Sequence, residues 1–149
     1  MRWLPFRSGA FDAVASFFTS FGYFATPAED RLVAAEIRRL LRPGGVFVLD
    51  FLNADRVTSH LFPRDVQTVG GATITQRRMI ENGVVIKKII VDRDGKREKF
   101  EERVRLYGRD ALERLLTHSG LRTDRTLGDY TGEEFGSDSS RLILYGRAM

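Results

Sequence analysis

The chain of 149 residues contains no cysteine and only two histidines, His60 and His118. Without cysteine it can form no disulfide bond, no thiolate metal site and no thiol nucleophile. Two histidines are too few for a multi-histidine metal centre, and they make a Ser-His-Asp triad a poor explanation of the sequence. We therefore expect neither a disulfide framework nor a metal site.

Long uninterrupted apolar runs are also absent. The longest nearly apolar stretch, residues 11–28, contains Asp12 and several serines and threonines, so it predicts no membrane span. The same stretch lacks the basic-then-apolar pattern of a secretory leader, and the sequence therefore predicts a cytoplasmic protein. With 42% hydrophobic residues and a formal net charge of +4, the chain has the composition of a single globular domain, residues 1–149.

The first third of the chain has the pattern of a βαβ unit. Residues 11–16 form a short apolar run that predicts a buried strand. A capping box begins at Thr26, with a proline in the first helical position, and apolar residues then recur at helical spacing. The Pro-Gly-Gly turn at 43–45 ends this helix, and a β-prone run at 46–50 follows. We expect two parallel strands joined by one helix.

After the βαβ unit the apolar residues alternate with a period of two, as in strands, and helical spacing returns near the end of the chain. Three β-prone segments at 73–79, 84–91 and 99–106 are separated by the Asn-Gly and Asp-Gly pairs of tight hairpins. They predict a three-stranded antiparallel β-ribbon, inserted at about 72–106 into a core made of residues 1–56 and 107–149. A second amphipathic helix at roughly 109–119 and a strand pair at 121–127 and 142–145 complete the core.

The ribbon carries the excess positive charge. Residues 76–105 contain ten Lys or Arg and six Asp or Glu, while positive and negative charges are equal in number over the rest of the chain. Two interpretations are open, a nucleic-acid surface or an exposed sheet face with cross-strand ion pairs. The interleaved acids and the scarcity of aromatic residues favour the second.

The order of these motifs resembles that of class I S-adenosylmethionine-dependent methyltransferases. Met-Arg-Trp-Leu-Pro-Phe at 1–6, followed by Phe-Asp-Ala-Val at 11–14, is similar to the segment that leads into the fourth strand of the family. Leu-Leu-Arg-Pro-Gly-Gly at 40–45 is similar to the turn into its fifth strand, and residues 107–132 resemble the C-terminal part of small-molecule members. The resemblance implies an α/β fold, a partial Rossmann-like methyltransferase sheet with the inserted three-stranded antiparallel β-ribbon.

The resemblance also implies S-adenosyl-L-methionine as the cofactor, a small-molecule methyl acceptor and a set of site residues. Ligands of such sheets sit beyond the carboxyl ends of the strands. The cofactor would be contacted by Met1, Arg2, Ser16 and Phe17, and the acceptor by Tyr23, Phe24, Asn53, Tyr130 and Arg141. No pattern identifies a catalytic acid or base.

Several residues near the strand ends could have a structural role in place of a ligand contact. Phe17 and Phe18 could be ordinary core aromatics, and residues 20–24 could be a loop held down by its aromatic side chains. For Asp50 we favour a strand-end carboxylate bonded to nearby backbone amides over a base. Gly22, between two aromatic residues, suggests a close approach of two backbone segments.

The family's glycine-rich cofactor loop has no counterpart in the sequence, which contains no Gly-x-Gly-x-x-Gly run. We therefore expect a truncated C-terminal portion that binds the cofactor poorly by itself. The strand at 11–16 would then have an exposed edge, which predicts a homo-oligomer such as a homodimer. Two alternatives are a non-catalytic oligomerising interaction module derived from a methyltransferase and an RNA-facing methyltransferase-like protein. We expect no membrane contact, and nucleic acid is not the favoured partner.

Overall fold

Two four-stranded sheets organise the computed structural model, which describes residues 3–149. The elements are β1 (Phe11–Ser16), α1 (Pro27–Leu40), β2 (Leu41–Leu52), α2 (Ala54–Ser59), β3 (Arg64–Val69), β4 (Ala72–Glu81), β5 (Val84–Arg93), β6 (Lys96–Arg105), α3 (Arg109–His118), β7 (Leu121–Leu127) and β8 (Arg141–Ala148). The core sheet has the order β1-β2-β8-β7, and the ribbon sheet has the order β3-β4-β5-β6.

The core sheet contains the predicted βαβ unit. β1 and β2 pair in parallel and are joined through α1, whereas β8 runs antiparallel to both β2 and β7. α1 begins with the predicted capping box, in which the Thr26 hydroxyl accepts from the Glu29 amide and the Glu29 carboxylate accepts from the Thr26 amide. α1 and α3 contact each other and the core sheet, so the apolar core lies between helices and sheet. The predicted α/β class is confirmed.

The first strand differs from the expectation in its burial. β1 is not a buried strand, because Asp12, Ala13 and Ala15 are exposed. Among the described residues β1 has one hydrogen-bonded neighbour, β2, and therefore forms an edge of the core sheet. Periodicity alone cannot distinguish an apolar edge strand from a central one.

The Pro-Gly-Gly turn forms a bulge rather than a separate loop. β2 begins directly after α1, and its register against β1 shifts between Phe11↔Leu41 and Ala13↔Val46. A Cβ at Gly45 would lie 3.1 Å from the Asp12 carbonyl oxygen in β1 and 2.9 Å from the Arg42 carbonyl oxygen within the bulge, so glycine allows the two strands to approach closely here.

The ribbon sheet contains the three predicted strands and one more. β4, β5 and β6 are joined by two tight turns whose central residues, including Asn82 and Asp94, have positive φ angles as type I′ turns require. β3 pairs antiparallel with β4 and was not predicted, because its sequence is largely polar and exposed. The predicted cross-strand ion pairs occur, for example between Lys87 and Glu102 at 3.4 Å.

The domain boundaries stay a prediction. No helix within residues 3–149 combines the length and apolar character needed to span a bilayer.

Candidate functional site

A strained turn follows β1 at its carboxyl end. Phe18 and Thr19 have φ angles of 55° and 58°, in the left-handed region that residues other than glycine rarely adopt. Phe17 is 45% exposed and Phe18 is 80% exposed, so the interpretation of both as core aromatics is wrong. The turn instead presents two aromatic rings to solvent at the end of the sheet where ligands of α/β folds bind.

One buried carboxylate holds this turn in place. Asp50, near the end of β2, is 0% exposed. Its Oδ2 accepts hydrogen bonds from the Phe18 amide and the Tyr130 hydroxyl, each at 2.7 Å, and its Oδ1 accepts from Nε of Arg141 at 2.7 Å. The Asp50 carbonyl oxygen also accepts from the Thr19 amide at 3.2 Å. We call Asp50, Phe18, Tyr130 and Arg141 the Asp50 cluster.

The Asp50 cluster explains how the strained turn persists. Each left-handed residue of this kind costs on the order of 1–3 kcal/mol. Hydrogen bonds to an ionised carboxylate are stronger than neutral ones, and Nη2 of Arg141 adds a bond to the Thr19 hydroxyl at 2.9 Å. These contacts offset the strain and fix the positions of Phe17 and Phe18.

The role we favoured for Asp50 is confirmed in part. It does accept from a backbone amide, that of Phe18, but Tyr130 and Arg141 also bind it. Its bond to the Tyr130 hydroxyl, followed by burial, raises the pKa of Tyr130, so this hydroxyl stays protonated and acts as a donor. Full burial and three partners favour a positioning role for Asp50 over that of a base.

Asn53 organises the loop at 128–140 from within the protein. Its side chain is buried, and Nδ2 donates to the carbonyl oxygens of Gly136, Ser137 and Ser139 at 3.2, 2.8 and 2.8 Å. Its Oδ1 accepts from the Asp55 amide at 3.1 Å and so caps α2. The side chain is occupied by these contacts, which favours positioning of the loop over direct contact with an acceptor.

The Ser16 hydroxyl lies at the end of β1. The side chain is buried, and its Oγ has no hydrogen-bond partner among the described residues. Buried hydroxyls are normally paired, so an unpaired one beside the strained turn suits a ligand with polar groups. This location fits the predicted cofactor contact. Met1 and Arg2, the other predicted cofactor residues besides Phe17, lie outside the described residues.

The segment at 20–24 is anchored by one aromatic residue and exposes another. Phe21 is buried against Phe51 and Tyr107, with ring centroids 6.3 and 6.1 Å away. Phe24 packs against the core, whereas Tyr23 is half-exposed. Burial, followed by the negative charge of Glu102, raises the pKa of Tyr23. The packing interpretation therefore holds for Phe21 and Phe24, and Tyr23 is available to a ligand.

The close approach expected at Gly22 is present. Gly22 has a φ angle of 84°, and a Cβ there would lie 3.2 Å from the Arg105 carbonyl oxygen. The Arg105 amide donates to the Gly22 carbonyl oxygen at 2.8 Å. This contact joins the segment after β1 to the base of the ribbon sheet.

A buried polar group that the sequence does not predict lies behind this segment. The Tyr107 hydroxyl donates to Oδ2 of Asp30 at 2.7 Å, and Nε of Arg105 lies 3.5 Å from the same oxygen. Arg105 also donates from Nη2 to the Ala25 carbonyl oxygen at 2.7 Å. Burial raises the pKa values of both Asp30 and Tyr107. No spacing in the sequence connects residues so far apart.

A cavity of about 330 Å³ lies between the base of the ribbon sheet and the segment around α2. We call it the ribbon-base cavity. Its wall is largely apolar, and His60, Arg78, Lys87 and Glu102 contribute the polar groups. The sequence does not reveal this cavity because its lining comes from well-separated segments. It adjoins the segment at 20–24, because a Cβ at Gly22 would lie 3.4 Å from Cγ1 of Val104, which lines the cavity.

Comparisons with known proteins agree with this architecture. Residues 1–49, about a third of the chain, match the family described as methyltransferase domain. No curated protein sequence matches the chain.

Solved structures match over nearly the whole chain. An S-adenosylmethionine-dependent methyltransferase from Clostridium acetobutylicum is 20% identical, with a TM-score of 0.86 over 99% of this chain and 61% of that chain. The CcbJ methyltransferase from Streptomyces caelestis is 19% identical, with a TM-score of 0.78 over 93% of this chain and 61% of that chain. CalS10, an amino pentose methyltransferase from Micromonospora echinaspora whose structure has S-adenosylmethionine bound, is 21% identical, with a TM-score of 0.64 over 99% and 62%.

The chain thus spans about 61% of the length of the solved structures it matches. These likenesses show the fold, and the predicted Rossmann-like methyltransferase architecture is confirmed. Residues 1–49 match the methyltransferase domain family, and nearly the whole chain shares the fold of solved S-adenosylmethionine-dependent methyltransferases.

Proposed function

We propose that this chain forms the acceptor side of a methyltransferase that uses S-adenosylmethionine and acts on a small molecule. The observation that carries the proposal is the buried Ser16 hydroxyl, which has no partner in the described part of the chain and lies beside the strained turn, at the carboxyl ends of the parallel strands β1 and β2. Ligands of open α/β sheets bind at this edge. Solved methyltransferases of the same fold, one with the cofactor bound, add support.

The described residues at the end of β1 suit S-adenosylmethionine. The buried Ser16 hydroxyl has no hydrogen-bond partner among residues 3–149 and so suits a polar group of a ligand, and the exposed ring of Phe17 offers an apolar surface next to it. When bound, S-adenosylmethionine supplies an electrophilic methyl group, so the protein has mainly to orient two reactants and exclude water. This division of labour agrees with the lack of a recognisable catalytic acid or base in the sequence.

The chain's own residues perform the orienting in this proposal. The Asp50 cluster fixes the turn that carries Phe17 and Phe18, and Asn53 fixes the loop that brings Tyr130 over the strand ends. Tyr23, whose pKa is raised, stays protonated at neutral pH and can donate a hydrogen bond to an acceptor. The Tyr130 hydroxyl and Nε and Nη2 of Arg141 are bound to Asp50 and Thr19. Only the remaining atoms of these two side chains can contact an acceptor.

A binding experiment tests the proposed cofactor contact. We expect the 149-residue chain by itself to bind S-adenosylhomocysteine weakly, because its sequence contains no glycine-rich cofactor loop. Titration followed by two-dimensional amide NMR should shift the resonances of residues 16–19 first. Ser16→Ala should weaken binding at least threefold. Ser119→Ala removes a hydroxyl that donates to the Leu115 carbonyl oxygen at the end of α3, and it should leave binding unchanged. Shifts elsewhere, or none, would contradict the site, and micromolar affinity by calorimetry would contradict the expected weakness.

Self-association through β1 is a second proposal, favoured by its exposed edge. Strand edges with free amide and carbonyl groups pair readily with a second chain. Sedimentation should show an oligomer whose mass falls when lysines replace the exposed Ala13 and Ala15. The matched substitution Ala35→Lys on the exposed side of α1 should have no effect. A monomer at high concentration would contradict the proposal.

A cytoplasmic location stays a prediction.

A further inference from the structure

Two cations face each other at the rim of the ribbon-base cavity. Arg78 in β4 lies directly opposite Lys87 in β5, and Lys87 lies directly opposite Glu102 in β6. All three residues line the cavity. This face of the ribbon sheet thus carries two neighbouring cations and one carboxylate.

The charge of Arg78 is not balanced within the described part of the chain. Its guanidinium donates to the Gln76 side-chain oxygen and the Phe62 carbonyl oxygen, which are both neutral. No carboxylate among residues 3–149 forms an ion pair with it, and Glu102 pairs with Lys87 at 3.4 Å. Like charges directly opposite each other destabilise a sheet. An anion at the cavity rim would turn this unfavourable pair into a favourable one.

The rest of the cavity suits an apolar body. The wall is built by Leu52, Val57, Leu61, Phe62, Val85 and Val104. Its volume of about 330 Å³ is at the lower end of the range found for small-molecule pockets. An apolar wall with a few convergent polar groups is the usual composition of such sites.

The location connects the cavity to the proposed reaction. Leu52 lies two residues after Asp50 in β2, and Val104 lies next to the segment that carries Tyr23. Glu102 lies close enough to Tyr23 to raise its pKa together with burial. The cavity therefore opens beside the strand ends where methyl transfer is proposed.

We propose that the ribbon-base cavity is the acceptor pocket and that it takes a small amphipathic molecule with an apolar body and one anionic group. Arg78 and Lys87 hold the anionic group, and the apolar wall holds the body. Glu102 competes with the ligand for Lys87 and so sets how strongly the anion is preferred. This inference rests on the proposed function only in naming the ligand as the methyl acceptor.

A pair of fluorescent probes separates the two parts of the proposal. 8-Anilinonaphthalene-1-sulfonate combines an apolar ring system with one anionic group, and N-phenyl-1-naphthylamine has the same rings without the sulfonate. Fluorescence titration of the 149-residue chain, without cofactor, should give at least tenfold tighter binding of the anionic probe. The double substitution R78Q/K87Q should abolish this preference, and E102Q should strengthen binding of the anionic probe severalfold.

The same two strands provide a matched control. Arg77 and Lys88 also lie directly opposite each other, and because side chains alternate along strands they point to the other face of the sheet. R77Q/K88Q changes the net charge equally and should leave the probe preference intact. V85F, which fills the cavity, should weaken binding of both probes, with circular dichroism verifying that each variant is folded.

Three results would overturn the inference. They are equal affinity for the two probes, an equal effect of R77Q/K88Q and R78Q/K87Q, and unchanged binding in folded V85F. Because these titrations involve neither cofactor nor methyl transfer, such results would reject the acceptor class alone. Failure of S-adenosylhomocysteine to shift residues 16–19 would reject the proposed function alone.

Discussion

Replacement of Arg141 by methionine tests how strongly the Asp50 cluster stabilises the fold. Asp50 is fully buried, and the Arg141 side chain beside it is 21% exposed. Removal of one partner from a buried ion pair costs about 3–5 kcal/mol. Asp50 keeps its bonds to the Phe18 amide and the Tyr130 hydroxyl, so we expect a loss of about 2–4 kcal/mol for R141M.

The loss can be measured by urea denaturation followed by circular dichroism. For a domain of this size, each kcal/mol corresponds to roughly 2–4 °C, so the melting temperature should fall by about 10 °C. The double variant D50N/R141M should recover part of the loss, because a neutral amide is less costly to bury than an unpaired carboxylate.

Arg147 on the same strand provides the control. Its Nε lies 3.2 Å from Oδ2 of Asp124, but its side chain is 52% exposed. Exposed pairs contribute less than about 1 kcal/mol, so R147M should have little effect. Equal losses for R141M and R147M would refute the view that burial of Asp50 makes its ion pair matter.

Three further predictions concern other parts of the molecule. A hydrogen bond from Arg39 lowers the pKa of Glu36 to about 2. Ionised Glu36 therefore stabilises the fold above its unfolded pKa of about 4.3, and this stabilisation is lost as pH falls towards 2. In E36Q the free energy of unfolding, measured with urea, should depend less on pH over that range. A Cβ at Gly146 would overlap the Arg122 carbonyl oxygen and lie 2.7 Å from Cε1 of Phe47, so G146A should cost more than about 2 kcal/mol in urea, whereas G108A, which meets no atom within 4 Å, should not. Y107F removes the hydrogen bond that the Tyr107 hydroxyl donates to the buried Asp30 side chain. This bond stabilises the charged carboxylate, so the destabilisation should grow with pH as Asp30 ionises; equal losses at low and high pH would contradict this.

The sequence predicted the elements that depend on local signals. The capping box at Thr26 located the start of α1, and the Asn-Gly and Asp-Gly pairs located both turns between β4 and β6. Local signals are weak in β3, which is polar and exposed, and in α2, which has only six residues. Those two elements form through contacts with the rest of the chain, and their sequences alone do not reveal them.

The site was predicted less completely because its contacts are long-range. Ser16 and Phe17 followed from the position of β1, and the structure places both at its carboxyl end. The family resemblance implies Tyr130 and Arg141 as acceptor residues, but spacing in the sequence does not reveal their bonds to Asp50. The predicted acceptor contact of Asn53 stays a prediction, and its amide donates to three carbonyl groups of the loop at 128–140, which spacing also does not reveal.

The partners of Asp50 have a consequence for the kinetics of folding. Phe18, Tyr130 and Arg141 lie 32, 80 and 91 residues from it along the chain. Contacts between such distant residues require closure of long loops, so we expect the cluster to form after the folding transition state, once β2 has paired with β8. Substitutions in the cluster should then accelerate unfolding and leave the refolding rate nearly unchanged. The lifetime of the folded chain, more than its rate of formation, would depend on this one carboxylate.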